Sequence, residues 1–546
     1  MRAPTVPIAL TAVLLASGCG AASGEDAEDA AGVTTSAPDA RLTLVADEDP
    51  VASAASASRA LFDTADVVVV ARDGDAAGTL LGASAATGLG VPLLLEPSGG
   101  GAADALTTEL ERLGTTTVLA VGEAEGGSGE GGPEVVAVPA DPDAVAGATG
   151  LELGEVQQVD DGAATAAVAE LDPGQPAALQ PAGAAPAAAG EDTGELPAVE
   201  RAEPLEDTLV VTTGDPGALA GVATARAAGA RVQLTGGGTD PRGSAELVEV
   251  MTEQEPQTVV ALGAGFAAEE GLDWKLDAAA TGAQLPGGGQ LLFPGRMMVA
   301  LYGSTEGGAL GVLGEQGLEA SIERARSTAA PYEELVDTPV VPAFEIIVTV
   351  ASSVAGPDGN YSTEQPVEAV RPWVEAAGEA GLYVVLDLQP GRTDFRTQAE
   401  QYQPLLELPH VGLALDPEWR LRPDQVHLQQ IGQVSIDEVN EVVTWLADLT
   451  RANDLPQKLL VLHQFQVRMI PERERLDTSR DELAIMVHVD GQGPQPAKQD
   501  TWRVLRQTEP DEVAWGWKNF YDEDLPMLTP EQTVAVEPRP DFVSYQ

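Results

Sequence analysis

The chain has one cysteine in 546 residues, so no internal disulfide can form. Basic residues are scarce too: 29 Lys and Arg stand against 86 Asp and Glu, a formal net charge of −57. A surface this acidic cannot neutralise phosphates and release their counterions, which excludes nucleic acid as a partner. It also excludes an electrostatic grip on anionic lipid or polymer unless divalent cations bridge the two. Beyond the N-terminal segment no apolar run approaches the roughly 20 residues that cross a bilayer. A Gly-x-Ser-x-Gly elbow, a phosphate loop and a His-Glu-x-x-His pair are all missing, which argues against serine, nucleotide and zincin chemistry. What remains is ordinary globular material, 44% hydrophobic and long enough for two to four domains.

The lone cysteine is Cys19, at the end of the short apolar run Pro7-Ile8-Ala9-Leu10-Thr11-Ala12-Val13-Leu14-Leu15-Ala16-Ser17-Gly18, with Arg2 ahead of it. A basic start, a short apolar stretch and small residues before a cut site make residues 1–18 a signal peptide. Leu15-Ala16-Ser17-Gly18-Cys19 resembles the lipobox of bacterial lipoproteins, which implies acylation of Cys19 and a mature chain lipid-anchored at the outer face of the membrane. Residues 19–40 are small, acidic and polar, and read as a disordered tether.

Two α/β stretches follow, 41–170 and 205–284, separated by an Ala/Pro/Gly-rich linker or surface loop over 171–204. In the first, the apolar runs 66–71, 91–95 and 117–122 alternate with helical segments. In the second, 208–213, 231–234 and 258–263 do the same. That alternation predicts βαβ units on parallel sheets. Ser58-Arg59-Ala60-Leu61-Phe62-Asp63-Thr64-Ala65-Asp66-Val67-Val68-Val69-Val70-Ala71-Arg72 and Gly88-Leu89-Gly90-Val91-Pro92-Leu93-Leu94-Leu95 resemble the type 2 cell-wall-binding repeat family of bacteria. The resemblance implies tandem α/β units that hold a surface protein to wall polymer. The chain departs from that family in having Asp75-Ala76-Ala77-Gly78 after the first strand, no Arg-rich segment between repeats, and two clear copies where three are usual.

From about residue 285 the texture changes: all four His and six of seven Trp lie beyond position 370. Eight apolar runs, at 296–302, 340–347, 382–387, 411–416, 458–463, 483–488, 513–517 and 541–545, are spaced by helical segments. Eight strands in about 250 residues predict a (β/α)8 TIM-like barrel over 285–546, with an open doubly wound sheet as the alternative. Several strands finish on ionisable residues, often in pairs two apart that share a strand face. Barrel chemistry sits at those strand ends. Two carboxylates flanking a bond, beside aromatic platforms, suit glycoside hydrolysis. The candidate catalytic residues are Glu345, Asp387, Asp416 and Glu418. Gln389, His463, Gln464, His488, Asp490, Trp515, Trp517 and Lys518 are candidate substrate binders. A metal site of His463, His488, Asp490 and Asp416 is a weaker alternative, since no close ligand spacing supports it; neither metal nor cofactor is expected.

Asp416-Pro417-Glu418-Trp419, Leu462-His463-Gln464-Phe465 and Gly516-Trp517-Lys518-Asn519-Phe520 resemble uncharacterised C-terminal domains of actinobacterial surface lipoproteins, which brings no activity with it. The expectation is a lipid-anchored envelope protein whose barrel binds and hydrolyses a cell-wall glycan. The alternative is a non-catalytic wall-binding or scaffold lipoprotein.

Overall fold

A computed structural model describes residues 31–99, 103–127, 131–184, 194–508, 510 and 512–546. The signal peptide and Cys19 lie outside the described residues, as do residues 19–30 of the tether. Among the described residues no helix is long and apolar enough to cross a membrane.

The N-terminal part holds two four-stranded parallel sheets. One orders the strands Leu93–Glu96, Val67–Arg72, Thr117–Val121 and Glu134–Val138. The other orders Arg231–Leu234, Thr208–Thr212, Thr258–Leu262 and Leu42–Val45. The central strands are buried on both faces, which is why they read as unbroken apolar runs. Leu42–Val45 therefore belongs to the second sheet although it precedes the first in sequence.

The helix Pro50–Leu61 ties the two units together. Asp49 caps it by accepting from the Ala52 amide, and proline opens its first turn. It packs on the helix Leu219–Ala227 through small residues: a Cβ on Gly221 would lie 3.1 Å from that of Ala57. Glycine there permits the close crossing that lets both units share one apolar core.

Two stretches differ from expectation. Val33–Thr35, within the expected tether, pairs antiparallel with Phe62–Ala65, because Ala31 and Val33 have a core to enter. The 171–204 segment is partly built in as well. Ala178–Pro181 pairs with Val156–Val159, Leu171 and Leu179 are buried, and Arg201 donates to the carbonyls of Thr87, Gly88 and Pro173. Its Ala/Pro/Gly bias hides those few anchoring side chains.

The C-terminal part is a closed barrel of eight parallel strands: β1 (Met297–Gly303), β2 (Val340–Ala351), β3 (Tyr383–Leu388), β4 (Val411–Leu415), β5 (Lys458–Gln464), β6 (Leu483–Val489), β7 (Ala514–Asn519) and β8 (Phe542–Tyr545). Each pairs with the next, and β1 pairs with both β2 and β8, so the ring closes and the open-sheet alternative is excluded. Helices lie outside most connections, but β5 leads to β6 through short 3₁₀ turns only. Met298, Ala300, Val341, Ala343, Val385, Ala414, Val461 and Met486 fill the interior. The residues between them, such as Val299, Phe344, Val384 and Leu460, pack against the outer helices. Leu285 and Leu292 plug the N-terminal end. There the buried Arg296 donates to the carbonyls of Gly288, Leu291 and Leu292.

Candidate active site

Continuing the inward parity of each strand to its C-terminal end yields a polar floor. Tyr302 comes from β1, Glu345 from β2, Asp387 from β3, Asp416 from just beyond β4, His463 from β5, His488 from β6, Lys518 from β7 and Ser544 from β8. All eight are buried. Buried polar groups of this kind persist only when they answer one another.

His463 is the hub. Its Nε2 lies 2.8 Å from Glu345 Oε1 and its Nδ1 lies 3.1 Å from Asp490 Oδ2, with Asp387 Oδ1 3.9 Å away. Burial opposes its charge, but the surrounding carboxylates outweigh that and hold its pKa well above the ordinary value, so it is an imidazolium with both nitrogens donating. The same contact keeps Asp490 below the usual carboxylate range despite its burial. His488 goes the other way: burial, then the nearby charges of His463 and Lys518, push it well down, leaving a neutral ring. Its Nε2 is 3.1 Å from Ser544 Oγ.

Tyr302 donates to Asp387 Oδ2 at 2.9 Å, and Lys518 Nζ stands 3.4 Å from the Tyr302 ring centroid. Burial and the negative charge of Glu345 push Asp387 up to about 6. Asp416 is likewise raised well above the usual carboxylate range, by burial and then by Asp387. Its Oδ1 also accepts the Glu418 amide, capping the short turn Pro417–Trp419. Glu418, on that turn, is driven up to about 7 by burial and by Asp490.

Above the floor opens a cleft of about 660 Å³. Tyr302, Gln389, Asp416, Glu418, Asp490 and Lys518 reach it, and Trp419, Phe465 and Phe520 supply apolar wall. Gln389 accepts from the Ala351 amide and its Nε2 comes within 3.5 Å of the Tyr302 hydroxyl. Glu345 and Asp387 lie beneath, engaged with His463 and Tyr302.

Three expected binders are elsewhere. Trp515 and Trp517 take the outward parity of β7 and pack on Trp502 of the helix Gln495–Arg506, with Trp517 Nε1 donating to Asn519. Gln464 takes the outward parity of β5; it accepts from Arg473 and donates to the carbonyls of Gln466 and Val467. The aromatic wall comes instead from strand-end loops. Tyr302 and Ser544 were not singled out from the sequence. Counting in steps of two from Met298 and Ala300, or from Phe542, reaches both. Among the described residues no group of three or more His, Cys, Asp or Glu side chains is arranged to hold a metal ion. Both nitrogens of His463 are already occupied by carboxylates.

The fold and floor define the class: a two-part α/β protein whose closed parallel barrel carries an acid-rich cleft at its strand ends. No protein-family model and no curated protein matches the chain. Among solved structures it is similar to Cwp6 from Clostridium difficile, at 12% identity and a TM-score of 0.31 over 65% of this chain. The match spans 66% of Cwp6, just under two thirds, and a likeness this slight carries no argument about activity.

Proposed function

We propose that the barrel hydrolyses a glycosidic bond in an envelope glycan, with Glu418 as the proton donor. The observation that carries this reading is one open cleft holding two carboxyls pushed in opposite directions. Glu418 sits at about 7, while Asp490 stays ionised below the usual range. Acid and base roles at neutral pH need such a division. Glu418 protonates the leaving oxygen, and Asp490, oriented by His463, activates water or stabilises the developing positive charge. Trp419, Phe465 and Phe520 offer apolar faces to sugar rings. Glu345 and Asp387 are positioning residues, one for His463 and one for Tyr302.

In this reading the N-terminal α/β units hold the protein to wall polymer, and acyl chains on Cys19 tether it to the membrane. The tether is tested by feeding cells a labelled fatty acid: wild type takes up label, and Cys19→Ser takes up none.

The activity test is release of new reducing ends from purified wall glycan by the full chain. Wild type releases them, and Glu418→Gln and Asp490→Asn are each slower by roughly 10²–10⁴-fold. With Glu418 as the acid, the rate falls as pH rises through about 7. Retention of all three proteins on the glycan without release supports the alternative, a non-catalytic wall-binding lipoprotein.

A further inference from the structure

Donors and acceptors in the cleft are unevenly supplied. Asp490, held ionised, and the exposed Glu523 line it beside Asp416 and Glu418, both raised toward the neutral acid, and the one ammonium there, Lys518, already stands over the Tyr302 ring. Asp490 is the informative member. Its side chain is only 9% exposed and its Oδ2 is taken by His463, yet its Oδ1 has no hydrogen-bond partner. Asp387 Oδ1, fully buried below, also lacks one. An acceptor that is buried and unanswered costs free energy, and a bound group that donates to it recovers that cost.

A sugar hydroxyl donates one hydrogen and is neutral, so its bond to Asp490 gains nothing from a charge on the donor. An N-acetyl group donates one N–H and is likewise neutral. An ammonium donates three hydrogens and accepts none. It also answers the sign of the site, where a charge-assisted bond to a desolvated carboxylate exceeds a neutral one.

We infer that the cleft selects a glycan carrying a free amine, such as a de-N-acetylated hexosamine, whose ammonium is held by Asp490 with Glu523 at the rim. The inference rests on the glycan-hydrolase reading for its substrate class and adds the substituent. The rim carboxylate Glu523 draws the cation in, and Asp490 fixes it.

The test is a binding titration of the full chain with a glucosamine tetramer and with its N-acetylated counterpart, at low and at moderate salt. The glucosamine tetramer should bind about tenfold tighter or better. That advantage should vanish in Asp490→Asn and shrink in Glu523→Gln. It should persist in Glu170→Gln, which removes an equal charge from the exposed surface of the N-terminal part. Glu523→Gln also keeps the test decisive should Asp490→Asn fail to fold. Equal or weaker binding of the amine sugar, or an advantage untouched by both cleft variants, overturns the inference. Sugar release is scored separately. Preference without release upholds the inference and removes the hydrolase reading; release from the N-acetylated glycan with no amine preference does the reverse.

Discussion

His463 donates to two carboxylates from inside a closed barrel, and its pH behaviour follows from that placement. Its folded pKa is raised, so its stabilisation is complete below about 6.5 and is lost as pH rises through the folded value. The raised carboxyls add to the same trend. Asp387 goes from an ordinary 3.8 to about 6, and Glu418 from 4.5 to about 7. Each holds its proton more tightly in the folded chain, so stability declines between the unfolded and folded values and the penalty is constant above them. Asp490, held low, contributes stability that is lost only as pH falls through its folded value. Asp387→Asn separates these effects. At pH 8 the buried charge is gone while a carbonyl still accepts from Tyr302, so urea unfolding should show a gain of roughly 1–3 kcal/mol. At pH 4 the gain should disappear. An equal loss at both pH values would mean that the bond to Tyr302, and not the buried charge, governs this position.

Among the elements, the strands were legible and their facing was not. In a parallel barrel both strand faces are covered, by the interior on one side and by helices on the other, so the body of each run is largely apolar on both faces. Continuity located β1 to β8, and the ionisable residues ending several of the runs located the mouth. Period two sorted residues into sets without telling which set turns inward. On β7 the expected binders Trp515, Trp517 and Lys518 span both sets; Gly516 and Lys518 turn inward, and the two larger tryptophans turn out. The glycine was the better clue: a Cβ at 516 would meet His488 Cδ2 at 2.6 Å and Cγ at 3.0 Å, so the ring needs that empty space. Gly516→Ala should therefore cost about 1–3 kcal/mol by overpacking and should impair the cleft by moving His488 away from Ser544. Trp517→Ala should cost about 3–5 kcal/mol, yet leave glycan affinity unchanged in the protein that remains folded. Measuring stability and affinity side by side distinguishes the two. If Trp517→Ala abolished binding while keeping the fold, the outward assignment of β7 would be wrong.

At the scale of the whole molecule the question is how so acidic a chain holds its two parts together, and the answer lies in where its few cations are placed. Lys275, 1% exposed, lies on the helix Leu272–Ala280 of the N-terminal part and reaches across to Asp481 of the barrel at 2.6 Å, while also bonding Glu269. Fully buried Arg242 bonds Asp240 and donates to the Asp481 carbonyl, and it stacks 4.5 Å from the Trp274 ring centroid. Arg451 of the barrel stands 4.8 Å from that same ring. Burial opposes the Lys275 charge, but its bonds to Asp481 and Glu269 prevail and raise its pKa. Its contribution is therefore present through neutral pH and lost only in strong alkali. Lys275 is buried, but Asp481 is 53% exposed and Asp240 keeps its bond to Arg242, so removing the ammonium should cost about 1–3 kcal/mol. Lys275→Met keeps the length of the stem and removes only the ammonium, so the loss should fall on the joint and not on either core. Calorimetry should then show one transition for wild type and two for the variant, with the earlier one moved upward by added salt. Salt screens the mutual repulsion of 86 carboxylates, and it screens the contacts of the buried Lys275 and Arg242 less. A single transition in the variant, lowered but undivided, would place the coupling in the apolar surface between the parts and not in these charges.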